Sequence, residues 1–168
     1  KELLKYAQTD ALTGLYNKET TEQLTDELLS EDENKSHAFL ILDVDCFKQI
    51  NDIYGHAVGD IVLQKFGKLL KGTFREGDIL GRIGGDEFGV IMKNIQTKDI
   101  AMKKAEELLA KTQAYKIDEL KGNNISISIG ISTAPQDGDC YMDLYKRADQ
   151  ALYQAKRSGK ARVCNYFS

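Results

Sequence analysis

Two pairs of acids stand where carboxylates are hard to accommodate. Asp43 and Asp45 end the apolar run that begins at His37, and Asp86 and Glu87 follow directly on Gly84-Gly85. A carboxylate at the end of a buried strand needs a cation or hydrogen bonds to replace its lost hydration. If the two segments are sheet neighbours, three or four carboxylates converge on one edge. Oxygen-only clusters of that kind suit Mg2+ or Mn2+, which keep open positions for substrate phosphates. Acids gathered in a turn for solubility are the plainer alternative, and neither pair alone decides between the two.

A phosphate-bearing ligand would need unconventional contacts, because the chain has neither a GxxxxGK[ST] loop nor a GxGxxG fingerprint. Backbone amides after Asp43 and the side chains of Lys48, Lys156 and Lys160 are the candidates. Lys156 and Lys160 are i,i+4 and face one anion if their helix extends that far. Asn51 and Asp60 offer an amide and a carboxylate for a base edge. Guanine presents N1–H and N2–H side by side, a donor pair that a carboxylate accepts well. Each of these signals is weak alone.

The chain around these groups has 168 residues, of which 42% are hydrophobic and 29% charged, as in an ordinary globular domain. It is long enough for one domain with a substantial core. No apolar run approaches the roughly 18 residues of a membrane-spanning helix. Twenty-three basic and 26 acidic residues leave a net charge of −3, which argues against a nucleic acid polymer as partner. The segment from Lys146 to Arg162 nonetheless carries six basic residues against one acid, Asp149. That is a solvated helix face or an anion site. Cys46, Cys140 and Cys164 show no CxxC pairing, which fits a reducing compartment and disfavours a zinc site. A start at Lys1 without Met suggests a piece of a longer polypeptide.

Patterning then supplies the elements. Lys1–Gln8 reads as the end of a helix, and Asn17 caps a second running to about Ser30. His37–Asp43 is too short and continuously apolar for anything but a buried strand. A helix follows from about Asp60 to Leu70, with Asp60 suited to its N-cap. Asp78–Arg82 and Phe88–Met92 read as strands joined through Gly84-Gly85, a hairpin signal because glycine takes positive φ at little cost. Thr97–Thr112 is an amphipathic helix, and Ile125–Ser132 alternates Ile and Ser as a half-buried strand does. Asp143–Arg157 is the last helix and Arg162–Tyr166 the last strand. About five strands and four or five helices in mixed order predict an α+β or α/β sandwich around one sheet.

Several segments together resemble one family. Arg82-Ile83-Gly84-Gly85-Asp86-Glu87-Phe88 resembles the signature of the GGDEF family of bacterial signalling enzymes, the diguanylate cyclases, which join two GTP into cyclic di-GMP. Asp10-Ala11-Leu12-Thr13-Gly14-Leu15-Tyr16-Asn17-Lys18 resembles the family's opening motif, with Lys18 where Arg is usual. Asp43-Val44-Asp45-Cys46-Phe47-Lys48-Gln49-Ile50-Asn51-Asp52 and Gly55-His56 through Gly59-Asp60 resemble its metal and guanine segment. Ser128-Ile129-Gly130-Ile131, Arg147-Ala148-Asp149 through Ala151-Leu152-Tyr153, and Lys156 with Ser158-Gly159-Lys160 resemble its C-terminal motifs. These span residues 10 to 163 in the family's order.

The resemblance implies a palm-like nucleotide-cyclase fold with a central, mostly antiparallel five-stranded sheet. It divides the chain into the end of an N-terminal signalling helix, residues 1–8, and the cyclase domain, residues 9–168. Two Mg2+ per site, with Mn2+ as a substitute, would be held by Asp43, the Val44 carbonyl and Asp86, with Glu87 as a further ligand. Asp86 would also accept the proton of the attacking 3′-hydroxyl, with Glu87 beside it in the catalytic pair. Asn51 and Asp60 would read guanine, with Phe47 and His56 lining the same pocket and Gly84 and Gly85 against the nucleotide. Lys48, Lys156 and Lys160 would hold the phosphates, Lys160 standing where Arg is frequent and lacking its fork. Arg75 and Asp78, in Arg75-Glu76-Gly77-Asp78, resemble the family's inhibitory site for cyclic di-GMP. One domain holds one GTP, so catalysis implies a homodimer. An N-terminal sensory domain and a cytoplasmic location, where GTP is, follow from the same resemblance, with membrane tethering of the whole protein left open. A degenerate domain that binds nucleotide without turnover, and a dimerisation module, remain as alternatives. Degenerate members usually lose metal or turn residues, whereas Asp43, Gly84, Gly85, Asp86 and Glu87 are all present.

Overall fold

The computed structural model describes residues 7–167. The expected N-terminal helix over Lys1–Gln8 falls largely outside them. Helix α1 spans Lys18–Glu31 and begins where Asn17 accepts from the Thr20 amide through its side chain, as its sequence promised. Then follow β1 (His37–Val44), α2 (Phe47–Tyr54), α3 (His56–Thr73), β2 (Ile79–Arg82), β3 (Glu87–Met92), α4 (Lys98–Ala114), a 3-10 turn (Asp118–Leu120), β4 (Ile127–Ala134), α5 (Tyr141–Arg157) and β5 (Val163–Asn165).

The five strands form one sheet in the order β2-β3-β1-β4-β5, antiparallel except for the parallel β4–β5 pair. The expected α+β sandwich with a mostly antiparallel sheet is what the chain forms. Alternation along β1 divides the core. Leu40 and Leu42 pack with Phe66, Phe88 and Leu108 on the side of α3 and α4. Phe39 and Ile41 pack with Leu28, Tyr141, Leu144 and Leu152 on the side of α1 and α5. Asp43 and Asp45 continue the second register, so their side chains enter the α5 side.

Three expectations change. Strand β4 is buried along its whole length rather than on one face. Its Ser128, Gly130 and Ser132 side is a seam of small residues against α5. A Cβ on Gly130 would lie 2.1 Å from the Ala148 carbonyl oxygen and 2.4 Å from the Leu152 nitrogen. The serine hydroxyls find internal partners there, Ser132 donating to the Leu144 carbonyl at 2.8 Å. Second, α3 begins at His56, so Asp60 lies within its first turns and caps nothing. Third, Gly84 and Gly85 are not among the glycines with positive φ. Gly84 serves space instead, since a Cβ there would sit 3.1 Å from that of Glu87. The Ile83 and Gly84 amides both donate to the Glu87 carbonyl and close the turn.

Candidate active site

The C-terminal end of β1 and the start of β3 meet in register, Asp43 opposite Glu87. The Val44 amide donates to the Asp86 carbonyl at 3.2 Å, which fixes the Gly84–Asp86 turn against the end of β1. Arg82 holds the turn from the other side. Its Nε and Nη2 donate to the Gly85 carbonyl at 3.0 and 2.7 Å, while Nη1 meets Asp10 Oδ1 at 3.1 Å. Asp10 in turn takes the Thr13 amide and hydroxyl.

Asp43 is buried and its carboxyl is pushed up to about 6, first by burial and further by Asp86, while the bond from Lys156 works the other way. One oxygen, Oδ2, takes the Lys156 ammonium. The other, Oδ1, is buried without a hydrogen-bond partner. A buried acceptor left bare costs about 1–3 kcal/mol unless a ligand uses it. Glu87 is half-buried and held above the usual carboxylate range, chiefly by burial, with Asp149 and Asp86 adding to the shift. Asp86 is half-buried beside both. Three of the expected acids therefore converge, and a bare anionic oxygen in an all-oxygen donor set is what a divalent cation fits.

Asp45 does not join them. Its oxygens accept from the Ser128 and Ser126 hydroxyls at 2.7 and 2.6 Å and from the Ala161 amide at 3.2 Å. The Ile–Ser alternation that reads as a half-exposed strand supplies these hydroxyls. Asp45 thus ties β4 and the C-terminal turn to the end of β1.

The proposed base-reading residues sit on a short helical hairpin beyond β1. Asn51 is half-buried on α2, and Asp60 is exposed on α3. Between them Gly59 admits the amide: a Cβ there would fall 1.9 Å from Asn51 Oδ1 and 3.2 Å from Phe47 Cζ. His56 and Lys48 are exposed on the same two helices. Helix α5 stops at Arg157, so Lys160 is not one turn along it from Lys156. Positive φ at Lys160 and Ala161 swings the chain back instead, and Lys160 Nζ lies 3.3 Å from Cys46 Sγ at the start of α2. Both lysines reach the β1–α2 junction by different routes.

Arg75 and Asp78 lie at the far end of the hairpin strands. Asp78 is buried, its oxygens accepting from the Lys93 amide, the Arg75 amide and Arg75 Nη2. These bonds tie Asp78 to the Arg75 turn and to the end of β3. The Arg75 side chain is 61% exposed and also donates to the Lys93 carbonyl. It borders two clefts, of about 700 Å3 toward Leu15, Tyr16 and Lys71 and about 230 Å3 toward Asn94 and Lys104.

The fold agrees with comparison to known proteins. The family profile described as "Diguanylate cyclase, GGDEF domain" matches residues 7–162. The chain belongs to the GGDEF family. It is similar to Diguanylate cyclase A of Treponema denticola, 37% identical over 96% of this chain and 45% of that protein. It is also similar to the response regulator PleD of Caulobacter vibrioides, 38% identical over 95% of this chain and 36% of that one. The chain thus spans less than half the length of these relatives. Among solved structures, the GGDEF domain of TpbB from Pseudomonas aeruginosa superposes with a TM-score of 0.89 at 33% identity, covering 95% of this chain and 94% of that one. The coiled coil and GGDEF domain of DgcB from Caulobacter crescentus, in complex with c-di-GMP, gives 0.89 at 26% identity, over 98% and 88%. Among the described residues, no helix of this GGDEF domain is long and apolar enough to cross a membrane.

Tyr145 is the residue at this site that the motifs did not single out. Its hydroxyl donates to Glu87 Oε1 at 2.7 Å. A signal was available, since Tyr145, Asp149 and Lys156 share one face of α5.

Proposed function

We propose that this domain condenses two GTP into cyclic di-GMP with release of pyrophosphate, in a homodimer whose two chains each hold one GTP. The observation that carries the reading is the bare, buried Oδ1 of Asp43 beside Asp86 and Glu87. Asp43, the Val44 carbonyl, Asp86 and Glu87 would hold Mg2+, or Mn2+ in its place, two ions per site. When bound, the metal lowers the pKa of the attacking 3′-hydroxyl and spreads charge developing on the α-phosphate. Asp86 takes the hydroxyl proton on its carboxylate. Asp60 accepts N1–H and N2–H of guanine, and Asn51, steadied against Gly59, meets the same base with Phe47 and His56 around it. Gly84 and Gly85 leave room for the nucleotide against the turn. Lys48, Lys156 and Lys160 neutralise the phosphates, and Lys156 exchanges its Asp43 partner for them. That exchange ties nucleotide and metal binding together.

The test is chromatography of products after incubating the chain with GTP and Mg2+ at a series of protein concentrations. Cyclic di-GMP is expected, with specific activity rising as concentration rises. Activity independent of concentration in a verified monomer would defeat the two-half-site scheme, and GTP-dependent stabilisation without turnover would favour a nucleotide receptor.

Product inhibition completes the proposal. Arg75 would fork onto a phosphate or the Hoogsteen edge of a guanine in cyclic di-GMP, with Asp78 fixing its approach. A ligand bridging two domains there would hold their half-sites apart. Cyclic di-GMP should then inhibit non-competitively with GTP, and Arg75→Ala should relieve inhibition by roughly tenfold or more, the size of a lost charge-assisted contact. Unchanged product affinity in that variant contradicts the assignment.

A further inference from the structure

Helix α5 touches the acidic cluster at two points. Lys156 engages Asp43, and three turns earlier Tyr145 donates its hydroxyl to Oε1 of Glu87. Asp43 and Glu87 are register partners across β1 and β3, so one helix pins two adjacent carboxylates. The Tyr145 ring is itself held, its centroid 6.5 Å from that of Phe39 and 5.9 Å from that of Tyr141. The seam at Gly130 brings the backbone of α5 close to β4 and leaves the helix little freedom to slide.

A comparison within the same helix separates packing from hydrogen bonding. Tyr141 is buried more deeply, and its hydroxyl has no partner. Its role is filled by the ring. Tyr145 is half-buried, and its hydroxyl reaches a charged oxygen at the site.

The consequence concerns how Glu87 can bind a cation. A phenol bonded to one oxygen of a carboxylate takes one of that oxygen's two lone pairs and fixes the plane of the group. That disfavours two-oxygen binding and leaves the other oxygen as the freer ligand. Mg2+ requires compact octahedral geometry, whereas the larger Ca2+ readily takes both oxygens of a carboxylate. We infer that Tyr145 is a positioning residue that makes Glu87 a one-oxygen ligand and thereby favours Mg2+ over Ca2+ at the site. The inference rests on the reading of the acidic cluster as a metal-dependent GTP site.

The experiment compares the parent chain with Tyr145→Phe and Tyr141→Phe. Each is measured for turnover and for the melting shift given by a non-hydrolysable GTP analogue with Mg2+ or with Ca2+. For Tyr145→Phe, kcat should fall roughly tenfold at saturating Mg2+ while KM for GTP stays within about twofold. Its melting shift should move from favouring Mg2+ toward favouring Ca2+, with the melting of the free variant unchanged. Tyr141→Phe should behave as the parent does. In a Glu87→Ala background, Tyr145→Phe should add no further loss. An unchanged Mg2+ to Ca2+ preference in Tyr145→Phe overturns the inference, and so do equal losses in both tyrosine variants. If the parent turns over no GTP, the cyclase reading fails and the melting shifts alone decide the role of Tyr145.

Discussion

Asp86→Ala should abolish cyclic di-GMP synthesis while leaving the fold intact. The expected loss is at least about a thousandfold, or roughly 4 kcal/mol of transition-state stabilisation. That size follows from the two tasks placed on one carboxylate, metal ligand and acceptor of the hydroxyl proton. The fold should tolerate the change because the half-buried Asp86 contributes its main-chain carbonyl, not its side chain, to the bond with Val44. Removing its charge also relieves the repulsion that raises Asp43. Melting should therefore shift by no more than the roughly 0.5 kcal/mol usual for such positions. Product chromatography and a melting curve on the same sample check both halves. Near-native turnover would refute the assignment, and a collapsed melting curve would show that the turn is needed for folding.

The second large effect belongs to Asp60. With its carboxylate facing the N1–H and N2–H pair, adenine would leave a desolvated anion unmatched, a loss of roughly a few kcal/mol. The parent should accordingly use GTP at least about a hundredfold better than ATP in kcat/KM. Asp60→Ala should lose most of that preference, mainly by losing GTP. Stability should hardly change, because Asp60 is exposed within α3 and caps no helix end. Comparable rates with ATP and GTP in the parent would contradict the base-reading role.

Legibility from sequence followed burial. Strand β1 was plain because eight consecutive buried positions leave an uninterrupted apolar run up to Asp43. Helix α5 was plain because Leu144, Ala148, Ala151, Leu152 and Ala155 repeat at helical spacing. Helix α2 was missed, being eight residues long with none fully buried. The serines of β4 misled for a different reason: polar side chains read as solvent-facing, yet these are small enough to lie under α5 and meet Asp45 and Leu144. Among the acids, Asp43 and Asp45 are indistinguishable by type and position. Only the hydroxyls of Ser126 and Ser128 and the amide of Ala161 reveal that Asp45 is committed while Asp43 keeps a bare oxygen. Tyr145 shares one face of α5 with Asp149 and Lys156, but its partner Glu87 lies on β3, and helical spacing alone does not say which strand that face meets.

The sheet order β2-β3-β1-β4-β5 bears on how the molecule comes into being. The central strand β1 is synthesised early, yet both of its neighbours come later, and His37 pairs with Ala134 near the other end of the domain. Pairings of such long range carry a large loop-closure penalty and form slowly. Until β4 has been made, Asp43 lacks one neighbour strand and Asp45 lacks its serines. Asp43 and Glu87, by contrast, come together as soon as β3 pairs with β1. The acids are thus gathered before the groups that hold them, since Lys156 and Tyr145 arrive on α5 only after β4 has been made.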